Sequence, residues 1–430
     1  MQPSPPPIVG SPTRLPWRQV AILTAFAVAI GIAINTLDPP LLGDRLIELA
    51  PENKNSALGL ITLAGLLTAL LWQPVAGALS DRTHTLWGRR LPYLALGTPT
   101  AALGLLAVAF APTTGWLLAA VVLTQLGTNT IQGPWQALIP DRLPAVQHGR
   151  AAGMKSAFEI LGFVLGRQIG GQLVAAGYPQ LAAAAAGASL FVALALTARL
   201  AGERVPPLPP SSRPGGLRQA LVELRGHPAF VLWFFNRLLI WGGFITLNTF
   251  LLFYVIDVLD MPQAQAQRFI ANVATVLGLM LLVVPLPAGW LADRIGRRPL
   301  LVLAGVLSAI GTCLILLAPD PGLLLPAAVL LGVGVGIFLS ASWALVTDIV
   351  PRADAGRYLG VANAATAGGS AAARLLGALL IDPLNRLLGT SHSGYVAVYG
   401  LALAAFVLGS LIALAFPSTP PASADPESRR

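Results

Sequence analysis

The chain has 430 residues, 55% of them hydrophobic and only 10% charged, with a formal net charge of +9. A water-soluble protein of this length carries roughly 25% charged residues, so this composition excludes an ordinary soluble fold and calls for the bilayer as a second solvent. A single cysteine, Cys313, excludes a disulfide or cysteine-rich metal site, and the positive charge sits mainly in arginines of short loops, which marks topology and not nucleic-acid binding.

Residues 1–18 are Pro-rich and polar and lack a cleavable signal peptide; they are expected to form a disordered cytoplasmic terminus. Apolar stretches of about 20 residues, enough to cross a bilayer, follow at 19–42, 57–79, 91–111, 115–138, 151–176, 180–199, 229–256, 268–291, 299–318, 322–346, 357–380 and 394–416. Backbone groups in hydrocarbon must be satisfied internally, so these twelve spans are helices. Residues 200–228, rich in Pro, Gly and Ser, read as a linker between a 19–199 bundle and a 229–416 bundle, and 417–430 as a disordered tail. Of the 27 Lys and Arg residues, nineteen lie on the side of the termini and linker, four on the other side and four within spans. That asymmetry places both termini and the linker in the cytoplasm. No GxxxxGK loop is present and the four histidines are scattered, so no cofactor, no metal and no enzymatic activity is expected.

The two bundles are repeats. Ala137-Leu138-Ile139-Pro140-Asp141, followed by Pro144, Gly149, Arg150 and Gly153, matches Ala344-Leu345-Val346-Thr347-Asp348, Pro351, Gly356, Arg357 and Gly360 at a constant offset of 207. The same offset sets Arg167 on Arg374 and Gly170 on Gly377. Gly77-Ala78-Leu79-Ser80-Asp81-Arg82 matches Gly289-Trp290-Leu291-Ala292-Asp293-Arg294 at offset 212, and Asn35 matches Asn248 at 213. The fold class is therefore all-α and integral to the membrane: twelve transmembrane helices in two pseudo-symmetric six-helix bundles. Paired repeats of this kind point to alternating access around a site at their interface.

Gly289-x-Leu291-Ala292-Asp293-Arg294-x-Gly296-Arg297-Arg298 resembles the loop signature of the major facilitator superfamily. The first-half copy, Asp81-Arg82 to Trp87-Gly88-Arg89-Arg90-Leu91-Pro92-Tyr93, is similar to that of the glycoside–pentoside–hexuronide:cation symporters and the sucrose–proton symporters. The resemblance covers nearly the whole chain and implies a secondary transporter of a small polar solute, a sugar or glycoside among the candidates, coupled to protons and acting as a monomer in a bacterial cytoplasmic membrane. The acids that hold sodium in melibiose-type relatives are absent from helices 2 and 4. Arg167 stands where drug exporters carry the proline of their helix 5 signature. Efflux of an amphiphile, and a non-transporting pigment-handling assembly role on the same fold, are the competing readings.

The candidate cytoplasmic gate comprises Gly77, Asp81, Arg82, Gly88, Arg89, Arg90, Asp141 and Arg150, with Gly289, Asp293, Arg294, Gly296, Arg297, Arg298, Asp348 and Arg357 in the second half. An ionisable group at mid-membrane costs about 2.5–3.5 kcal/mol and so needs a partner and a role. The proton-coupling candidates are Glu159, Asp38, Arg167 and Arg374, with Glu159 preferred because it lies two turns from Arg167 on one helix. Asp38, before Pro39-Pro40, is placed at the end of helix 1 near the outer face. Amide and aromatic side chains suit sugar hydroxyls and rings, so Asn35, Gln125, Asn129, Gln132, Trp135, Gln168 and Asn248 are the candidate cavity residues. Gln125, Asn129 and Gln132 share one helix face.

Overall fold

The structure is a computed structural model and describes residues 15–201, 228–317, 320–349 and 355–416. Helix α1 runs from Trp17 to Leu49 in pieces, Trp17–Thr24, Phe26–Thr36, a π-helical step Leu37–Leu41, and Leu42–Leu49. It is followed by α2 (Lys54–Arg82), α3 (Leu91–Ala109), α4 (Thr114–Arg142), α5 (Ala145–Ala175) and α6 (Pro179–Ala201). The second half holds α7 (Pro228–Asp257), α8 (Gln263–Val283, continued by Pro285–Ile295), α9 (Arg297–Leu317), α10 (Pro321–Ile349), α11 (Ala355–Leu388) and α12 (Ser393–Leu414). Among the described residues, ten of the twelve are long and apolar enough to cross a membrane by length and composition. The other two, α4 and α5, carry Gln125, Asn129, Gln132, Lys155, Glu159 and Arg167.

Two boundaries move furthest relative to the sequence reading. Helix α1 does not end at 42, and Asp38 lies at an internal break with φ −123° and ψ 118°, after which the helix resumes. Proline has no N–H to give to the preceding turn but suits the first turn of the next helix, so Pro39 and Pro40 end one piece and start another. Helix α11 continues to Leu388, eight residues past the apolar stretch. Hydropathy marks where a helix leaves hydrocarbon; the hydrogen-bond ladder stops only where a cap or breaker stops it.

The neighbours repeat across the two halves. Helix α1 packs on α5 as α7 packs on α11, α3 on α4 as α9 on α10, and α3 on α6 as α9 on α12. Indole donors tie matching pairs: Trp135 Nε1 to the Leu23 carbonyl at 2.7 Å, joining α4 to α1, and Trp233 Nε1 to the Ser342 carbonyl at 2.8 Å, joining α7 to α10. The halves meet along α5 against α8 and α2 against α11. At Gly59 the backbones of α2 and α11 approach so closely that a Cβ would collide with the Arg374 carbonyl oxygen and with Ala378. Without a hydrophobic drive between helices in lipid, such close backbone contact is what holds them together.

Candidate functional site

At the centre, the break in α1 presents Asp38. Thr36, one turn before the resumed helix, donates to the Gly166 carbonyl on α5 at 3.1 Å. The next residue, Arg167, is only 6% exposed. Its guanidinium donates to Asn248 Oδ1 on α7 at 2.7 Å and lies 5.6 Å from the Phe163 ring. Arg374, its repeat mate on α11, donates to the Ser370 carbonyl of its own helix at 3.1 Å. Both arginines act electrostatically on the Asp38 carboxylate. Yet Asp38 Oδ1, Arg167 Nε and Arg374 Nε are each buried without a hydrogen-bond partner. The three charges come from three helices, Asp38 from α1, Arg167 from α5 and Arg374 from α11 of the opposite half.

Glu159 does not join them. It accepts from Lys155 one turn back on α5 at 2.5 Å, and its side chain is 44% exposed. Eight residues of helix separate it from Arg167, about 12 Å of rise, and an adjacent ammonium is the nearer partner. The expected pairing of Glu159 with Arg167 is not formed: Glu159 is paired with Lys155, and Asp38 is the acid that acts on Arg167.

The cavity candidates also divide. Asn248 meets Arg167, and Asn35 donates to the Gly31 carbonyl while its Cβ lies against Gly166, next to Arg167. Asn129 is buried and donates to both oxygens of Gln125, and Gln125 packs on Gly65 of α2. Gln132 is half-buried. Gln168 crosses to α8, donating to Thr275 at 2.7 Å and to the Ala271 carbonyl at 3.2 Å, so it fastens the halves together. Trp135 is 1% exposed, packs on Phe26 and is held by Leu23; it belongs to the core of the first half and not to a cavity wall.

At the arginine-rich end the first loop signature forms a closed network. Arg90 is 6% exposed and reaches Asp81 at 2.6 Å, Asp141 at 3.1 Å and Ser80 at 2.5 Å; Arg89 reaches Asp141 at 2.7 Å. Arg82 and Arg150 are exposed, and no Cβ contact constrains Gly77. Gly88 and Gly296, the signature glycines, have φ of 88° and 89°, a left-handed turn that a side chain strains. The second copy is looser: Asp293 lies 3.7 Å from Arg297, Arg294 stacks on Trp290 at 3.6 Å, Arg298 is half-buried, and Gly289 faces Ser340. Asp348 and Arg357 lie outside the residues whose side chains are described. The Asp81 and Asp141 network thus ties α2, α3 and α4 of one half together. Removing the buried acceptor shared by two arginines costs about 3–5 kcal/mol. Asp141→Ala therefore lowers the melting temperature of the purified protein clearly, while exposed Asp81, worth about 0–1 kcal/mol, gives a small shift on the same change. Equal losses for the two variants contradict this assignment.

At the arginine-poor end lies a cluster that hydropathy did not reveal. Lys54 pairs with Asp257 at 2.5 Å and sits over the Phe253 ring. Tyr395 donates to Asp257 at 2.6 Å, and Asn55 donates to Asp382 at 2.8 Å. The backbone N–H of Ser56 donates to the second oxygen of Asp382 at 2.7 Å, and its hydroxyl to the Ala378 carbonyl at 2.7 Å. No side chain of α2's own N-cap residue, Asn53, caps that helix. Asp382, from the other half, takes that place, where an anion meets free N–H groups and the positive end of the helix dipole. Asn55, Asp382 and Tyr395 are 1%, 5% and 0% exposed. Nearby, Gln263 donates to Asp44 at 2.8 Å and Gln267 to the Pro40 carbonyl at 3.2 Å. At this end these bonds join the two halves.

Two six-helix bundles related by an internal repeat are the architecture of the major facilitator class of membrane carriers. The chain belongs to the family described as MFS/sugar transport protein, which its residues 53–419 match. It is 33% identical over 94 residues to a minor myo-inositol transporter of Bacillus subtilis (strain 168), covering 22% of each chain. It is 30% identical over 132 residues to a sucrose transport protein of Arabidopsis thaliana, 26% of this chain and 22% of that one. The matched segments thus span about a fifth of the length of these relatives. Solved structures share the fold over most of the chain. A nucleoside transporter superposes with a TM-score of 0.71 at 14% identity, over 93% of this chain and 99% of that one. A D-xylose-proton symporter does so with 0.66 at 18%, over 94% and 97%.

Proposed function

We propose that the protein is a secondary transporter that moves a small polar solute, of sugar type, across a bacterial cytoplasmic membrane by alternating access, driven by protons. The observation that carries this reading is the group Asp38, Arg167 and Arg374. It offers one titratable acid and two permanent cations at the seam between the halves, with hydrogen-bonding atoms left free. Family membership and the inositol and sucrose carriers among the relatives support the solute class. The positive-inside rule assigns the arginine-rich end, both termini and the linker to the cytoplasm. The clamp at the arginine-poor end is then the periplasmic gate, closed, and the signature loops around Asp81 and Asp293 form the cytoplasmic gate.

Asp38 is the coupling acid in this scheme. Its ionised form is held by the two arginines; its protonated form releases them to a solute. A break in a membrane helix at the repeat interface is where carriers of this architecture place such sites. The test is uptake into proteoliposomes under an imposed inward proton gradient, with a panel of radiolabelled neutral and acidic sugars, polyols and nucleosides. Accumulation that collapses with a protonophore is expected for one class. No accumulation of any member, together with export of a lipophilic dye from the same vesicles, replaces this reading with efflux of an amphiphile.

A further inference from the structure

Against the clamp at the arginine-poor end lies a cavity of about 540 Å³, a volume typical of small-molecule sites. Both halves build it. Glu52 and Lys54 come from the turn before α2 and its first residue, Asp257 from the last residue of α7, Asp382 and Arg386 from the end of α11, and Ser391 from the turn before α12. Glu52, Arg386 and Ser391 are exposed, so the cavity is open to solvent along that side. The clamp uses only Lys54, Asp257 and Asp382; the rest of the lining has no part in it.

The lining is polar almost throughout. Among the described residues, only Pro51 and Gly389 in it lack a polar side chain, and no aromatic side chain lines it. An amphiphile finds no apolar wall there. Three carboxylates, Glu52, Asp257 and Asp382, stand with two cations, Lys54 and Arg386, so an ion of either sign meets groups of its own sign. The inner charges are already answered: Lys54 by Asp257 at 2.5 Å, and Asp382 by Asn55 at 2.8 Å and the Ser56 N–H at 2.7 Å. What they retain is hydrogen-bonding capacity. The Lys54 ammonium has three donors and gives one to Asp257. Arg386 gives its Nε–H to the Asp382 carbonyl at 3.4 Å and keeps the other guanidinium donors. Each carboxylate oxygen offers more than one lone pair. Hydroxyls, which both donate and accept, match such a lining without adding charge.

We propose that this cavity is a second solute site, at the outer face, which takes a neutral polyhydroxy ligand of mono- or disaccharide size and, when filled, holds this end of the carrier closed. The proposal rests on the transport reading above for its sidedness and for the kinship of its ligand with the transported class. It shares no residue with the group at Asp38, Arg167 and Arg374. Opening this end parts Glu52 and Lys54 of one half from Asp257, Asp382 and Arg386 of the other, so only the closed form offers the whole lining. A ligand bound by one state alone shifts the equilibrium towards that state by the factor 1 + [L]/Kd. External solute in excess therefore slows its own entry by filling the doorway and not the centre.

The experiment uses D-glucose, sucrose and myo-inositol as probes, with glycine betaine as a zwitterion that the same charges would attract. Two reporters in a Cys313→Ser full chain are labelled in intact cells by a membrane-impermeant maleimide: Ser391→Cys on the exposed rim, and Ala378→Cys, 3% exposed, behind the clamp. At ten times the concentration that half-protects, at least one of the three polyhydroxy probes is expected to slow labelling at both positions about tenfold, and betaine is expected to slow neither. With Glu52→Gln and Arg386→Gln together, the half-protecting concentration rises about tenfold or more. No saturable protection at 391 by any of the three, protection by betaine alone, protection at 391 without slowing at 378, or an unchanged concentration dependence in the double variant overturns the inference. Proteoliposome uptake tests the transport reading separately, so that reading stands where uptake is seen and the two reporters fail. Where the double variant does not fold, the comparison of the three probes with betaine at the two reporters decides the matter.

Discussion

Asp38→Asn is expected to abolish proton-driven accumulation while leaving solute exchange across the membrane intact. The substitution keeps the size and hydrogen-bonding shape of the side chain but fixes it in a neutral state. Asp38 feels both Arg167 and Arg374, and its Oδ1 is buried without a partner, so its charge is what the two cations sense. With the acid permanently neutral, the arginines remain available to solute, and binding no longer depends on a proton. Counterflow then continues and the gradient no longer drives uptake. Glu159→Gln, whose partner is Lys155 one turn back on α5, retains accumulation within about twofold of wild type. Loss of accumulation in Glu159→Gln with retention in Asp38→Asn reverses the assignment.

The second large effect concerns the clamp at the arginine-poor end, assigned above to the outside. Asp382→Ala removes acceptors for Asn55 and for the Ser56 N–H together. It leaves the start of α2 uncapped, the part-buried Ser56 N–H unpaired, and Asn55 with Tyr395 as its remaining acceptor. Hydrogen bonds to a charged acceptor are worth about 1.5–3 kcal/mol each. A loss of about 3 kcal/mol from the outside-closed state shifts the balance towards the outside-open state roughly a hundredfold. A cysteine placed at Ala378, which is 3% exposed beneath the clamp, reports this in a Cys313→Ser background. Its labelling from the outside by an impermeant maleimide rises steeply in Asp382→Ala and little in Arg386→Ala, a neighbouring change that leaves the cap in place. Unchanged labelling at 378 in Asp382→Ala refutes the clamp.

The helical scaffold and its twofold repetition were legible in the sequence because lipid enforces them. Long apolar runs admit one secondary structure, and the constant offset of 207 fixed which helices are equivalent. Arg167 and Arg374 stood out for the same reason, being costly where they lie. The partners of those residues did not. Glu159 looked right by spacing along one helix, whereas Arg167 turned to Asp38 and Asn248 on two other helices. Trp135 was placed on a cavity wall with its polar neighbours, but an indole fills space at a helix crossing, and the carbonyl it bonds belongs to α1. The clamp was missed altogether. Lys54, Asp257 and Asp382 lie at helix ends just past their apolar stretches, so a reading by hydropathy assigned them to loops. Only the folded helices, running on to Asp257 and Leu388, bring them together.

The broken helix α1 has a mechanical consequence. Its inner piece is bound to α5 through Thr36 and Gly166, whereas its outer piece is bound elsewhere, Arg45 to the Ala111 carbonyl beyond α3 and Asp44 to Gln263 of the other half. A continuous helix is a stiff rod, and tilting one end tilts the other. Here the rod is jointed at Asp38, where two successive prolines interrupt the backbone bonding. The two ends of α1 can therefore follow different neighbours, and the joint between them carries Asp38, the acid proposed above for coupling. A change of charge at Asp38 acts at the point in α1 where a small local rearrangement alters the angle between its inner and outer pieces.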